Sequence, residues 1–127
     1  DIVADYNNII LGTSTWGVGE LQDDWDEFLP NLVKEDLVDK NVALFGLGDS
    51  MGNSETFTDA MSVIAEELKA TNCKILDGVS TDGYDFDESQ SVVDGKFIGL
   101  AIDEDNQSEL TEERIDAWLE MILPQFK

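Results

Sequence analysis

The sequence predicts an α/β fold, a mainly parallel sheet with helices packed against it, and three observations carry that expectation. Short, mainly apolar runs recur at residues 8–12, 41–46, 74–79 and 97–102, with the length of buried strands. Between and after them lie segments whose apolar residues repeat at helical spacing. The resulting order of strand, helix, strand, helix, strand, strand, helix belongs to crossover-connected parallel strands.

Taken in order, Asn8, Ile9, Ile10 and Leu11 form the first strand and close at Gly12. Trp25, Phe28, Leu29 and Leu32 then share one face of a helix whose other faces carry Asp23, Asp24, Asp26 and Glu27. Residues 41–46 (NVALFG) make the second strand, again closed by glycine. Phe57, Ala60, Met61, Ile64 and Leu68 mark the buried stripe of a second helix, with Ser54 expected at its N-cap. Residues 74–79 and 97–102 are the third and fourth strands. The last helix is expected to start near Thr111 and to bury Ile115, Trp118, Leu119 and Ile122. Residues 80–96 (STDGYDFDESQSVVDGK) are polar, rich in glycine and aspartate, and read as a solvated surface insertion. No internal repeat or low-complexity linker divides the chain, so residues 1–127 are expected to form a single domain.

Composition narrows the chemistry. With 29 acidic and 7 basic side chains and no histidine, the net charge is −22, while a 42% hydrophobic content allows a core. That charge excludes non-specific nucleic-acid binding and argues against anionic membrane surfaces. It suits a basic protein partner, a cation, or a cofactor held by backbone groups. Without histidine the usual general base and most zinc sites are gone. Cys73 is the only cysteine, so no intrachain disulfide forms. The acidic, polar opening has no secretory-signal pattern, and no apolar run nears the ~18 residues of a membrane span. The expectation is a soluble, cytoplasmic protein that does not insert into membranes.

Two loops stand where ligands collect in a parallel sheet, outside the carboxyl ends of strands. Residues 12–19 (GTSTWGVG) offer three hydroxyls, an indole and three glycines, which suit a flat ring with polar edges or, equally, a turn around a core tryptophan. Residues 46–53 (GLGDSMGN) allow close backbone approach to a ligand, although glycines also simply make turns. Calcium binding by Asp82, Asp85, Asp87 and Glu88 is disfavoured, because their spacing does not match an EF-hand loop. A receiver-type phosphoacceptor would need an aspartate at the end of the first strand, where Thr13, Ser14 and Thr15 stand.

The motifs GTSTWGVGELQDDWDEFLP, VALFGLGDS, STDGYDFDES and DGKFIGLAIDEDNQSELTEERIDAWL together resemble the long-chain flavodoxins, over essentially the whole sequence. The resemblance implies a flavodoxin-like three-layer sandwich in which an insertion splits the last strand. It implies a low-potential one-electron carrier, not an enzyme, that holds flavin mononucleotide (FMN) non-covalently. Its partners would be basic redox proteins such as a flavodoxin or ferredoxin reductase. Carried over by position, Thr13, Ser14, Thr15 and Trp16 fall on the first flavin loop, with Trp16 against the inner flavin face. Gly17 falls where a backbone carbonyl accepts from the N5–H of the one-electron-reduced flavin, and Gly19 closes that loop. Leu47, Gly48 and Asp49, following Gly46, fall on the second loop, whose amides meet the pyrimidine edge.

Several positions depart from the family pattern. Ser14 replaces a common proline and Thr56 a common asparagine, while Asn53 stands where most members stack a tyrosine on the outer flavin face. That last change is expected to weaken flavin binding by about 1 kcal/mol or more. The family's T-x-T-G-x-T phosphate loop does not occur in these 127 residues. The sequence is therefore expected to lack the family's N-terminal strand, phosphate loop, first helix and second strand. As it stands it should bind FMN poorly and not be a well-behaved monomer: self-association through the open edge at residues 8–12, disorder, or dependence on a missing N-terminal piece is expected. The alternative function is a flavin-free flavodoxin-fold remnant serving as a protein-interaction module.

Overall fold

The alternation of side chains along β3 (Asn41–Leu47) organises the molecule. Val42 and Leu44 join one apolar cluster, whereas Ala43, Phe45 and Leu47 join another on the opposite face of the sheet. Val42, Ala43 and Leu44 are at most 1% exposed, as expected of a parallel strand covered on both sides. Residues 6–16, 20–21, 23–32, 37–52, 55–76 and 78–126 are described by the structure, a computed structural model.

Helices α1 (Asp23–Leu32) and α2 (Asp59–Leu68) cover the first face, burying Trp25, Leu29 and Leu32 together with Met61, Ile64, Ala65 and Leu68. Helix α3 (Glu104–Ile122) covers the other through Trp118 and Ile122. Three layers result, with the sheet in the middle. β1 (Asn8–Trp16) runs parallel to β3 in register from Asn8↔Asn41 to Ser14↔Leu47. On the other side of β3 lie two short strands in line. β4 (Lys74–Ile75) pairs with Asn41 and Val42, and β7 (Leu100–Ile102) pairs with Phe45, Gly46 and Leu47. The split outer strand expected from the resemblance is therefore present, with the insertion leaving and returning between its halves.

Several expectations need correction. The first strand does not stop at Gly12 but continues to Trp16, and its end turns into an antiparallel pairing with β2 (Glu20–Leu21). The hydroxyl residues at 13–15 are β-compatible and extend the ladder, so half of the expected loop is strand. The third and fourth strands are shorter than residues 74–79 and 97–102. Phe97 belongs to a separate two-residue strand, β6 (Lys96–Phe97), and Ile98 and Gly99 interrupt before β7. Ser54 lies outside the described residues. Helix α2 follows Thr58, which occupies the left-handed region at φ 53° and caps nothing with its side chain. Helix α3 starts seven residues before Thr111, at Glu104, after the N-cap Asp103, and is kinked at Gln107 (φ −135°, ψ 40°).

The insertion is not a solvated excursion. β5 (Val92–Val93) and β6 (Lys96–Phe97) form a hairpin, and Tyr84, Phe86 and Val92 pack on Phe57, Phe97 and Ala101. The Phe57 and Phe86 rings stack at 5.2 Å, and the Tyr84 ring meets Phe97 edge-on at 4.9 Å. Ser91, fully buried, donates to the Thr58 carbonyl at 2.7 Å. Gln90 N–H donates to Asp59 at 2.7 Å, and burial pushes the Asp59 carboxyl above its ordinary pKa. Aspartates and glycines gave the segment a polar composition, but its aromatic residues are spaced to reach a common hydrophobic cluster. No helix among the described residues is long and apolar enough to cross a membrane.

Candidate functional site

The carboxyl ends of β1 and β3 lie side by side, with Thr13 opposite Gly46 and Ser14 opposite Leu47. In this kind of sheet those ends, with their outward-pointing loop amides, are where ligands bind. Thr13 is buried, at 2% exposure. Thr15 and Trp16 are backbone partners of Leu21 and Glu20, so the first candidate segment is held as the start of a hairpin. Gly17, Gly19 and Asn53 lie outside the described residues. Thus β1 and β3 bring Thr13, Ser14, Leu47 and the start of the loop after β3 to one end of the sheet.

That second loop has the better-defined geometry. Leu47 is the last residue of β3 and pairs with Ile102, and the following Gly48 N–H donates to the Ile102 carbonyl at 2.9 Å. A Cβ on Gly48 would lie 2.8 Å from the Thr58 nitrogen and 3.0 Å from Phe57, so the loop backbone passes directly against the start of α2. Asp49 then folds the chain over its own side chain. Its Oδ1 accepts from Met51 N–H at 3.2 Å and Gly52 N–H at 2.8 Å. These donors and the Asn106 side chain, led by Gly52, hold the Asp49 carboxyl below its ordinary pKa. The Asp49 and Ser50 N–H groups have no hydrogen-bond partner among the described residues.

Behind the loop stands a group that the motif reading missed. Ser50 Oγ donates to Asp103 Oδ2. Asp103 is fully buried and accepts on Oδ1 from the Asn106 N–H at 3.3 Å and from its Nδ2 at 2.9 Å. Asn106 Nδ2 also lies 2.8 Å from Asp49 Oδ1. An aspartate immediately before the acidic run at 104–105 is an N-cap signal, and it was legible in the sequence had the last helix been started there. Among the described residues, no group of three or more histidine, cysteine, aspartate or glutamate side chains converges to hold a metal ion.

The comparisons with known proteins agree with one another. A family model described as flavodoxin matches residues 1–118. A flavodoxin from Synechocystis sp. is 47% identical over 124 residues, which are 98% of this chain and 73% of that relative. One from Helicobacter pylori is 45% identical over 121 residues, covering 95% of this chain and 73% of the relative. Among solved structures, Fusobacterium nucleatum flavodoxin bound to flavin mononucleotide superposes with a TM-score of 0.93 at 37% identity. That match spans 98% of this chain and 75% of the other.

Proposed function

Because this chain belongs to the flavodoxin family, we propose that it holds FMN non-covalently at the carboxyl ends of β1 and β3 and passes electrons singly between protein partners. The observation that carries this reading is the register Thr13↔Gly46 and Ser14↔Leu47, which supports a single crevice flanked by residues 13–19 and 46–53. Thr13, Ser14, Thr15, Trp16, Gly17 and Gly19 would line it from one side, and Leu47, Gly48, Asp49 and Asn53 from the other.

The donor set suits the ligand. The pyrimidine edge of a flavin presents carbonyl oxygens, and the N–H groups of Asp49 and Ser50, which have no hydrogen-bond partner among the described residues, would supply donors for such an edge. The Trp16 indole would cover a ring face, a stacking contact that binds the ring without fixing its charge. Bound flavin supplies a ring system that takes up and returns single electrons; the protein orients it and limits its contact with water. The net charge of −22 would steer docking onto a basic reductase or acceptor. The same field opposes adding negative charge to the ring, by about 0.4 kcal/mol for each carboxylate ~10 Å away in water and more near a low-dielectric pocket. That effect supports a low potential. We place this carrier in the cytoplasm.

Visible absorbance of the purified protein tests the proposal. A yellow protein whose apo form takes up one FMN per chain and is reduced in two one-electron steps is the expected result. A colourless protein that takes up no added FMN would leave a flavin-free interaction module as the function.

A further inference from the structure

The side-chain NH2 of Asn106 sits between two carboxylates. It reaches Asp49 Oδ1 at 2.8 Å and Asp103 Oδ1 at 2.9 Å, with Ser50 Oγ at 3.4 Å. An NH2 group has two hydrogens, so the two carboxylates use its full donor capacity. Asp103 is completely buried, and a buried carboxylate is tolerated only when its oxygens are well supplied with donors. Ser50 O–H, Asn106 N–H and Asn106 Nδ2 are those donors. A carboxamide is the side chain that joins two carboxylates without adding charge. An aspartate there would add a third negative charge, and an alanine would leave the two carboxylates facing each other unbridged.

The backbone around Asn106 isolates this arrangement. The non-helical Gln107 separates the turn at 104–106 from the rest of α3. Beyond that break the helix is tied to the insertion, where Gln107 Nε2 and Arg114 Nη2 both donate to the Gly83 carbonyl, at 3.2 Å and 3.0 Å. Before it, the turn is tied to the loop after β3. Among the described residues, only Gly48, through Ile102, anchors that loop by a backbone hydrogen bond to the sheet. The remaining anchors described are the side-chain contacts of Asp49 and Ser50 to Asn106 and Asp103.

We propose that Asn106 is a positioning residue, fixing the loop at 48–52 by joining Asp49 to Asp103, so that a flavin edge meets a loop whose shape is already set. The inference rests on the flavin-binding reading above. It assigns the first turn of α3 to the binding site and leaves the flavin contacts themselves to the loop. Removing Asn106 would leave the local Asp49 turn to Met51 and Gly52 and the Ser50 bond to Asp103 in place, but would cut the link from Asp49 to the first turn of α3.

The test compares the wild-type protein with Asn106→Ala, first without flavin. In wild-type apoprotein the Met51 and Gly52 amides should show order parameters near those of β3, about 0.85, and in the variant they should fall below about 0.6. In the holoprotein the variant should raise the FMN dissociation constant about tenfold, the scale of one hydrogen bond to a charged group. Both reduction potentials of the bound flavin should also move from the wild-type values. Asn106→Ser, too short to span both carboxylates, is read in the same way if the alanine variant does not fold. Order at Met51 and Gly52 that is unchanged in the variant overturns the proposal whatever happens to affinity. A wild-type protein that takes up no FMN overturns the flavin reading instead, and the apoprotein measurement still decides the role of Asn106.

Discussion

The guanidinium carbon of Arg114 lies 3.7 Å from the centre of the Tyr84 ring, and this pair fastens the insertion to α3. Arg114 is the only basic residue between Glu104 and Ile122. Its Nη2 also donates to the Gly83 carbonyl at 3.0 Å, while the Tyr84 hydroxyl donates to the Ala101 carbonyl of β7 at 2.6 Å. Helix, insertion and outer strand therefore meet at two side chains. A helix so rich in carboxylates uses its one cation inward, where a ring face and a carbonyl both favour positive charge.

Arg114→Ala should destabilise the protein by about 1–2 kcal/mol, the sum of a partly buried cation–π contact and one hydrogen bond. The value stays at that modest level because Arg114 Nη1 is buried without a partner among the described residues, which offsets part of the gain. Urea unfolding measures the loss, and proteolysis should begin within residues 80–96. Wild-type stability in the variant would mean that the aromatic cluster and the bonds of Gln90 and Ser91 to Asp59 and Thr58 hold the insertion without Arg114.

The Tyr84 hydroxyl gives a pH signature. Burial pushes its pKa up to about 12 from an ordinary value of 10, with Arg114 acting in the opposite direction. A folded-state pKa above the unfolded one means that the neutral phenol's contribution is complete below pH 10 and is lost as pH rises through about 12. Tyr84→Phe removes the bond to Ala101 and should cost about 1 kcal/mol at neutral pH. Between pH 10 and 12 the difference from wild type should shrink. A difference that stays constant over that range would show that Tyr84 ionises like a free tyrosine.

How much of this was legible follows the reach of each signal. Residues 41–46 were readable because a strand covered on both faces is apolar at nearly every position, and four of them are buried at 1% exposure or less. The end of β1 was not, because Thr13, Ser14 and Thr15 suit a loop or a strand equally, and the choice is made by pairing with β3 and β2. The insertion misled because local composition counts its aspartates, whereas Tyr84, Phe86 and Phe97 act through contacts with Phe57, distant in sequence. Asp103, Ser50 and Asn106 escaped for a similar reason. Their chemistry appears only when β7 brings residue 103 beside the end of β3, although the cap signal itself was local.

Gly48→Ala probes the approach of the candidate loop to α2. A Cβ would fall 2.8 Å from the Thr58 nitrogen and 3.0 Å from Phe57 Cδ1 and Thr58 Cγ2. Backbone cannot swing aside as a side-chain tip can, and Thr58 and Phe57 are both completely buried. The substitution should cost about 1–3 kcal/mol through overpacking. It should weaken FMN binding as well, since relief requires moving the loop away from the start of α2 and so out of the position set by the Gly48 bond to Ile102. An alanine variant with wild-type stability and FMN affinity would show that the loop moves freely and is not part of a preset site.

The aromatic side of the proposed site makes the most direct prediction about function. On the proposed reading, Asn53 offers no ring where the family commonly stacks a tyrosine, and Trp16 would be the aromatic contact on the isoalloxazine. Its position supports that role: Trp16 ends β1 and pairs with Glu20, two residues past the point where Ser14 meets Leu47. Trp16→Ala should weaken FMN binding by roughly 1–3 kcal/mol, the scale of one stacked heterocycle. Trp16→Phe should recover much of it, because stacking needs a π-face more than an indole N–H. Titrating each apoprotein with FMN measures both. A dissociation constant unchanged by Trp16→Ala would mean that the indole points away from the flavin. A large loss that phenylalanine does not recover would mean that Trp16 acts by shaping the hairpin with β2 and contributes little stacking.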